Sequence, residues 1–186
     1  MAAATGASAD LARANAGART RRLFLRFDIA GDRYVLAASR IVRMLPWMPL
    51  KGLPAAPDWA AGVLLYGDTP VPVIDISALA TGRRSAARAS TRIAVVEYRA
   101  AMSMSPSERD AAAPARLLGL LLEHATQTVH YDDNEFVPCG LDNPAARYLG
   151  PVRADDQGLV QQVGVDDLLP AQVRERLFQE VLESAS

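Results

Sequence analysis

A chain of 186 residues, half of them apolar and with a formal net charge of −1, fits one domain or two small lobes around a real core and excludes disorder for the chain as a whole. The balanced charge disfavours a nucleic-acid partner or direct membrane insertion, and no apolar run is long enough to cross a bilayer. The single cysteine, Cys139, excludes an intrachain disulfide framework and a thiol-rich metal site, so a reducing, cytoplasmic location is expected.

Residues 1–20 are alanine-rich and lack the basic start and continuous apolar centre of a secretion signal, so a flexible tail is expected there. Order is expected from residue 21 to the end. Leu23, Leu25, Phe27 and Ile29 alternate with Phe24, Arg26 and Asp28, the period of a strand with one buried face, and Gly31 with Asp32 turns it back into Tyr34–Leu36 as a hairpin. A short extended segment follows around Ile41 and Val42. Five residues, Pro46, Pro49, Gly52, Pro54 and Pro57, then set an ordered, irregular connection that Trp47 and Trp59 bracket as ring anchors.

Gly62 to Tyr66 is apolar without alternation, Gly67 and Asp68 form a turn, and Thr69 to Ile76 returns extended, with Pro70 and Pro72 placing amide-free positions at an edge or bulge. A strand apolar on both faces must be covered twice, by a second lobe or by a partner. After an arginine-bearing loop at Arg83, Arg84 and Arg88, Arg92–Tyr98 is a further strand. Residues 100–115 have no strand period and are expected to be a surface insertion. Leu117–Leu122, Thr126–Tyr131, Tyr148–Val152 and Leu159–Val163 complete the strands. Beyond Pro170, Val173, Leu177 and Val181 recur at four-residue spacing, which predicts a C-terminal amphipathic helix.

Short strands separated by Gly, Pro and Asp predict an all-β barrel or sandwich, since a parallel α/β sheet has no room here for its crossover helices. Val71–Leu79 and Val160–Leu169 echo one another, each ending an extended run in aspartate and leucine. Chemistry is sparse. There is no phosphate loop, nucleophile elbow or paired-cysteine motif, so neither a cofactor nor a metal is expected. His124 and His130 are too far apart along one extended element to share an ion, and Cys139, between Pro138 and Gly140, is in loop context. An enzyme would need a pocket assembled around these three residues.

Several stretches in order resemble the CheW family of bacterial chemotaxis coupling proteins: FLRFDIAGDRYVL (24–36), IVRML (41–45), PAAPDWAAGVLLY (54–66), VPVID (71–75), RLLGLLLEHA (116–125), YLGPV (148–152) and LVQQVGVDDLLP (159–170). Tyr66, Pro70 and the 166–178 ending resemble the Wsp-type surface-sensing branch. The resemblance implies a pair of five-stranded SH3-like barrel lobes without a catalytic site. It also implies a scaffold that couples a methyl-accepting chemoreceptor's cytoplasmic tip to the regulatory domain of a histidine kinase, recruited to receptor arrays at the inner membrane. On this reading Val42, Val63, Leu65, Tyr66, Gly67, Asp68 and Val71 are the residues expected to bind receptor or kinase. The family's turn carries arginine and glycine where this chain has Gly67 and Asp68, which implies either a different hairpin turn or a divergent adaptor with altered coupling. An adaptor paired elsewhere with a receiver domain is a second class of reading.

Overall fold

The structure, a computed structural model, describes residues 21–99, 116–140 and 146–169. Among the described residues nine strands join into one branched, open sheet: β1 (Arg21–Ile29), β2 (Asp32–Ala37), β3 (Ile41–Pro46), β4 (Ala60–Tyr66), β5 (Thr69–Asp75), β6 (Arg92–Tyr98), β7 (Arg116–Asp132), β8 (Leu149–Asp155) and β9 (Gly158–Val163). The expected hairpin at Gly31 forms with Ala30 and Gly31 as its loop, at φ +54° and +95°, the two left-handed positions of a type I′ turn.

The 17-residue β7 organises the sheet. Its first part pairs antiparallel with β6 and parallel with β5, and its second part pairs antiparallel with β1. The sequence predicts two strands here, split near Ala125. One strand forms instead, because His124 takes φ +52° and the register with β1 slips between Arg26 and Asp28, letting the chain bend without a turn. Two half-sheets result, with the same neighbour pattern. One runs β3–β6–β7–β5–β4 and the other β7–β1–β2–β9–β8, and in each the ladders are antiparallel, antiparallel, parallel, antiparallel.

The closed SH3-like barrel lobes expected from the sequence are corrected by this topology: neither half-sheet closes. The outer edges of β4 and β8 each meet the chain at one isolated bridge, Lys51 to Val63 and Val137 to Val152, rather than along a ladder. Proline is the physical reason. Pro49, Pro54 and Pro57 surround the first bridge and Pro138 follows the second, and a residue without an N–H cannot extend a ladder.

The helix expectation needs correcting too. The α-helix found among the described residues is the short α1 (Ile76–Thr81), in mid-chain rather than at the C-terminus. Asp75 caps it, accepting from the Ala78 N–H at 3.1 Å, and Gly82 ends it at φ +73°. The sequence reading carried the strand to Ile76 and missed this cap. The stretches expected as a tail (1–20), an insertion (100–115) and the C-terminal helix (from Pro170) lie outside the described residues.

Strand alternation feeds three apolar clusters. Leu25, Phe27 and Ile29 of β1 meet Ile74, Ala94, Val96, Leu118, Leu120 and Leu122 in a central core between the half-sheets. The opposite faces fill an outer core in each half: Leu64, Val71, Val73, Ile93 and Leu121 in one, Phe24, Val35, Ala37 and Val160 in the other. Apolar runs on both faces are thus covered twice. Each fully buried leucine contributes about 1.5–3 kcal/mol. Gly119 allows β7 to approach β5, since a Cβ there would sit 2.8 Å from the Val73 Cγ2.

Candidate functional site

The structure gathers most of the sequence-predicted residues on the β4–β5 hairpin. Leu65 faces Pro70 and Tyr66 faces Thr69 across a two-residue loop of Gly67 and Asp68. Gly67 takes φ +62°, which fits the first central position of a type II′ turn and explains why glycine stands there. Leu65 is 75% exposed, while its neighbour Leu64 is buried in the outer core with Tyr66 packed against that core. Val63 is half-buried at the Lys51 bridge. Val71 is fully buried, so it shapes the hairpin from beneath and offers no contact surface. Val42 is exposed at the irregularity between Ile41 and Arg43 of β3, on a different strand.

The β8–β9 hairpin repeats this arrangement, and the sequence reading missed its side chains. Ala154 pairs with Leu159 as Leu65 pairs with Pro70; Val152 carries the Val137 bridge as Val63 carries that of Lys51. Register irregularities also coincide, at Ala60/Gly62 and at Leu149/Val152. Leu159 is 66% exposed and Val137 is also exposed. The signal was present in the internal echo, which aligns Val71 with Val160, both fully buried, and hence Pro70 with Leu159.

The two tips differ in how they are fastened. Where β4 ends in Tyr66, β8 ends in Asp155, whose carboxylate receives both terminal nitrogens of Arg33, at 2.7 and 2.9 Å. This pairing with Arg33, helped by the Gln157 N–H and the Tyr131 hydroxyl, holds Asp155 down at about 2 and raises Arg33. Burial, followed by the nearby Asp155 charge, pushes the Tyr131 phenol up. Arg153 lies over the Tyr131 ring at 4.1 Å and pairs with Glu135 at 2.7 Å. An open groove of about 390 Å³ lies here, lined by Arg21, His130, Tyr131, Asp132, Glu135, Arg153 and Asp155. Within it Arg153 reaches both Glu135 and Asp155, at 2.7 and 3.9 Å, while the Asp132 carboxylate accepts from Asn134.

The residues that an enzyme would need are not brought together. His130 lines that groove, His124 occupies the β7 bend, and Cys139 is exposed in the segment after β7. Among the described residues no three His, Cys, Asp or Glu side chains converge as a metal-ligand set. Trp59 anchors its loop as expected, half-buried against the central core with its carbonyl accepting from the Asp75 N–H at 2.8 Å, whereas Trp47 is exposed.

Among the described residues the molecule is a pair of open half-sheets joined by a shared core, each ending in a hairpin with an exposed apolar side chain. Residues 23–173 match the CheW-like domain, and the chain belongs to that family. That family is one of non-enzymatic scaffolds of chemotaxis signalling, which makes this chain an adaptor by family. Among solved structures it is similar to the scaffolding protein TtCheW from Thermoanaerobacter tengcongensis, with a TM-score of 0.65 at 15% identity, covering 83% of this chain and 91% of that one. At that identity the likeness speaks for the fold. No curated protein matches the sequence. Among the described residues no helix is long and apolar enough to cross a membrane.

Proposed function

We propose that this chain couples a chemoreceptor's cytoplasmic tip to the regulatory domain of a histidine kinase, within receptor arrays, by holding both in fixed geometry. The observation that carries the reading is the pair of topologically equivalent hairpin ends, each presenting an exposed apolar side chain, Leu65 in one half and Leu159 in the other. A coupler needs two separate docking ends on one rigid body, and the central core joining the half-sheets supplies the rigidity. Val42, Val63, Leu65, Tyr66, Gly67 and Asp68 form the receptor- or kinase-binding surface in this reading, with Val71 supporting it from beneath. The chain as a single domain from residue 21 to 186, bearing an N-terminal tail and a 100–115 insertion, belongs to the same reading. So does a place in the Wsp-type branch, which rests on sequence resemblance alone.

The test is pulldown of purified receptor and kinase fragments with L65D and L159D. Each variant is expected to keep its melting temperature and to lose one of the two partners by about tenfold or more, as removal of a central apolar contact does. Undiminished binding of both partners by both variants would falsify the proposal. Variant G67R/D68G, which restores the family's turn residues, is expected to change affinity for one partner beyond any change in stability.

A further inference from the structure

Residues 82–91 run from the end of α1 to β6 without regular structure, yet the chain is tied down along this strap. Ser85 donates its N–H and Oγ–H to the two oxygens of Asp75 at 2.8 and 2.7 Å, and the Ala86 N–H donates to Glu123 at 2.7 Å. Thr91 Oγ–H donates to the Ala86 carbonyl at 2.7 Å and its N–H to Arg88 at 3.0 Å, while the Ala125 N–H donates to Ser90 at 3.1 Å. Asp75 is 3% exposed, so its charge is turned inward and satisfied by backbone and hydroxyl donors.

The outward side of the strap is a different matter. Arg83, Arg84 and Arg88 are all exposed, and among the described residues none of them is ion-paired. By contrast Arg22, Arg33, Arg40, Arg99 and Arg153 each have a carboxylate partner. No acidic residue occurs between Asp75 and Glu97 in the sequence, and the carboxylates that touch the strap, Asp75 and Glu123, meet Ser85 and Ala86 rather than its arginines. Guanidinium groups presented on a pinned backbone lose less freedom on binding than they would on a free loop.

We propose that this strap is a docking surface for an acidic segment of a partner protein. The other residues on it are small, with no aromatic ring for base stacking and no large apolar side chain for insertion into a bilayer. Carboxylates match the paired donors of arginine, and such contacts fix register and raise association rates. The surface is separate from the Leu65 and Leu159 hairpin ends, so it stands or falls independently of the coupling role.

The experiment measures fluorescence anisotropy of a labelled glutamate-rich peptide with the full chain, at low and at physiological salt. The variant R83A/R84A/R88A is expected to weaken binding about tenfold or more and to flatten its salt dependence. The matched variant R21A/R43A/R147A removes the same charge from exposed sites elsewhere and is expected to stay within about twofold of the parent. Should the alanine variant melt early, R83Q/R84Q/R88Q makes the same comparison with longer side chains. Equal losses in the strap and matched variants would overturn the proposal. Tighter strap-dependent binding of phosphatidylglycerol vesicles or of a single-stranded oligonucleotide than of the peptide would overturn it too.

Discussion

The two half-sheets share strand order, ladder directions, irregularities and edge bridges, but they close their outer hairpins by different physics. At the β4–β5 tip, Tyr66 lies on the apolar cluster of Leu64 and Val71, and Gly67 makes the turn. At the β8–β9 tip, the equivalent residue is Asp155, fastened by Arg33 and Tyr131. One architecture thus accepts either an apolar or an ionic fastening, because the hydrogen-bonded ladders fix the hairpin and the tip residue only secures its end. The difference also predicts that the halves respond to different perturbations.

The largest effect is expected at Gly62, whose φ of +141° and close approach to the Lys51 carbonyl leave a Cβ only 2.5 Å from that oxygen. G62A should destabilise the protein by about 3 kcal/mol in urea unfolding, through strain and backbone displacement. The corresponding irregularity in β8 is more forgiving, since a Cβ on Gly150 meets the Gln162 carbonyl at 3.2 Å. G150A should cost about 1 kcal/mol, and equal losses at the two sites would break the comparison.

The ionic tip should show itself in acid. Asp155 has a folded pKa of about 2 against an ordinary 3.8, so its contribution is complete above about pH 4 and disappears as the pH falls toward 2. That contribution is about 1–2 kcal/mol after allowance for screening at a partly exposed pair. D155N should remove it at neutral pH and flatten this part of the stability profile. Amide exchange in acid should then speed up first at β8 and β9, with β4 and β5 unaffected. The smallest stability effects belong to L65D and L159D, expected within about 0.5 kcal/mol because both side chains are already in water. A larger loss at either would mean that its hairpin is held by the leucine.

The strands were legible because their alternation reflects burial directly. Leu25, Phe27 and Ile29 fill the central core as their spacing predicts. Other features escaped for local reasons. The alternation puts Phe24 on the face opposite Leu25, Phe27 and Ile29, and that face is buried too, in the second outer core, since a strand covered on both sides has no solvent face to mark. The α1 helix is a six-residue turn too short for a helical period, visible only through the Asp75 cap. The β4–β5 hairpin is legible from its apolar run and Gly-Asp turn, and the β8–β9 hairpin from its two strands and the turn at Asp155–Gly158, but its tip does not read as a binding end because Leu159 sits among glutamines and glycine.

The sequence by itself determined the family, the mostly β character, the absence of catalytic motifs and the hairpin at Gly67 and Asp68, because each is written in neighbouring residues and their periods. Only the tertiary structure decided that the half-sheets stay open, that β7 serves both, and that Leu65 and Leu159 occupy equivalent ends. These depend on pairing between strands distant in the chain, where a proline without an N–H or one residue at positive φ sets which ladder continues and which stops.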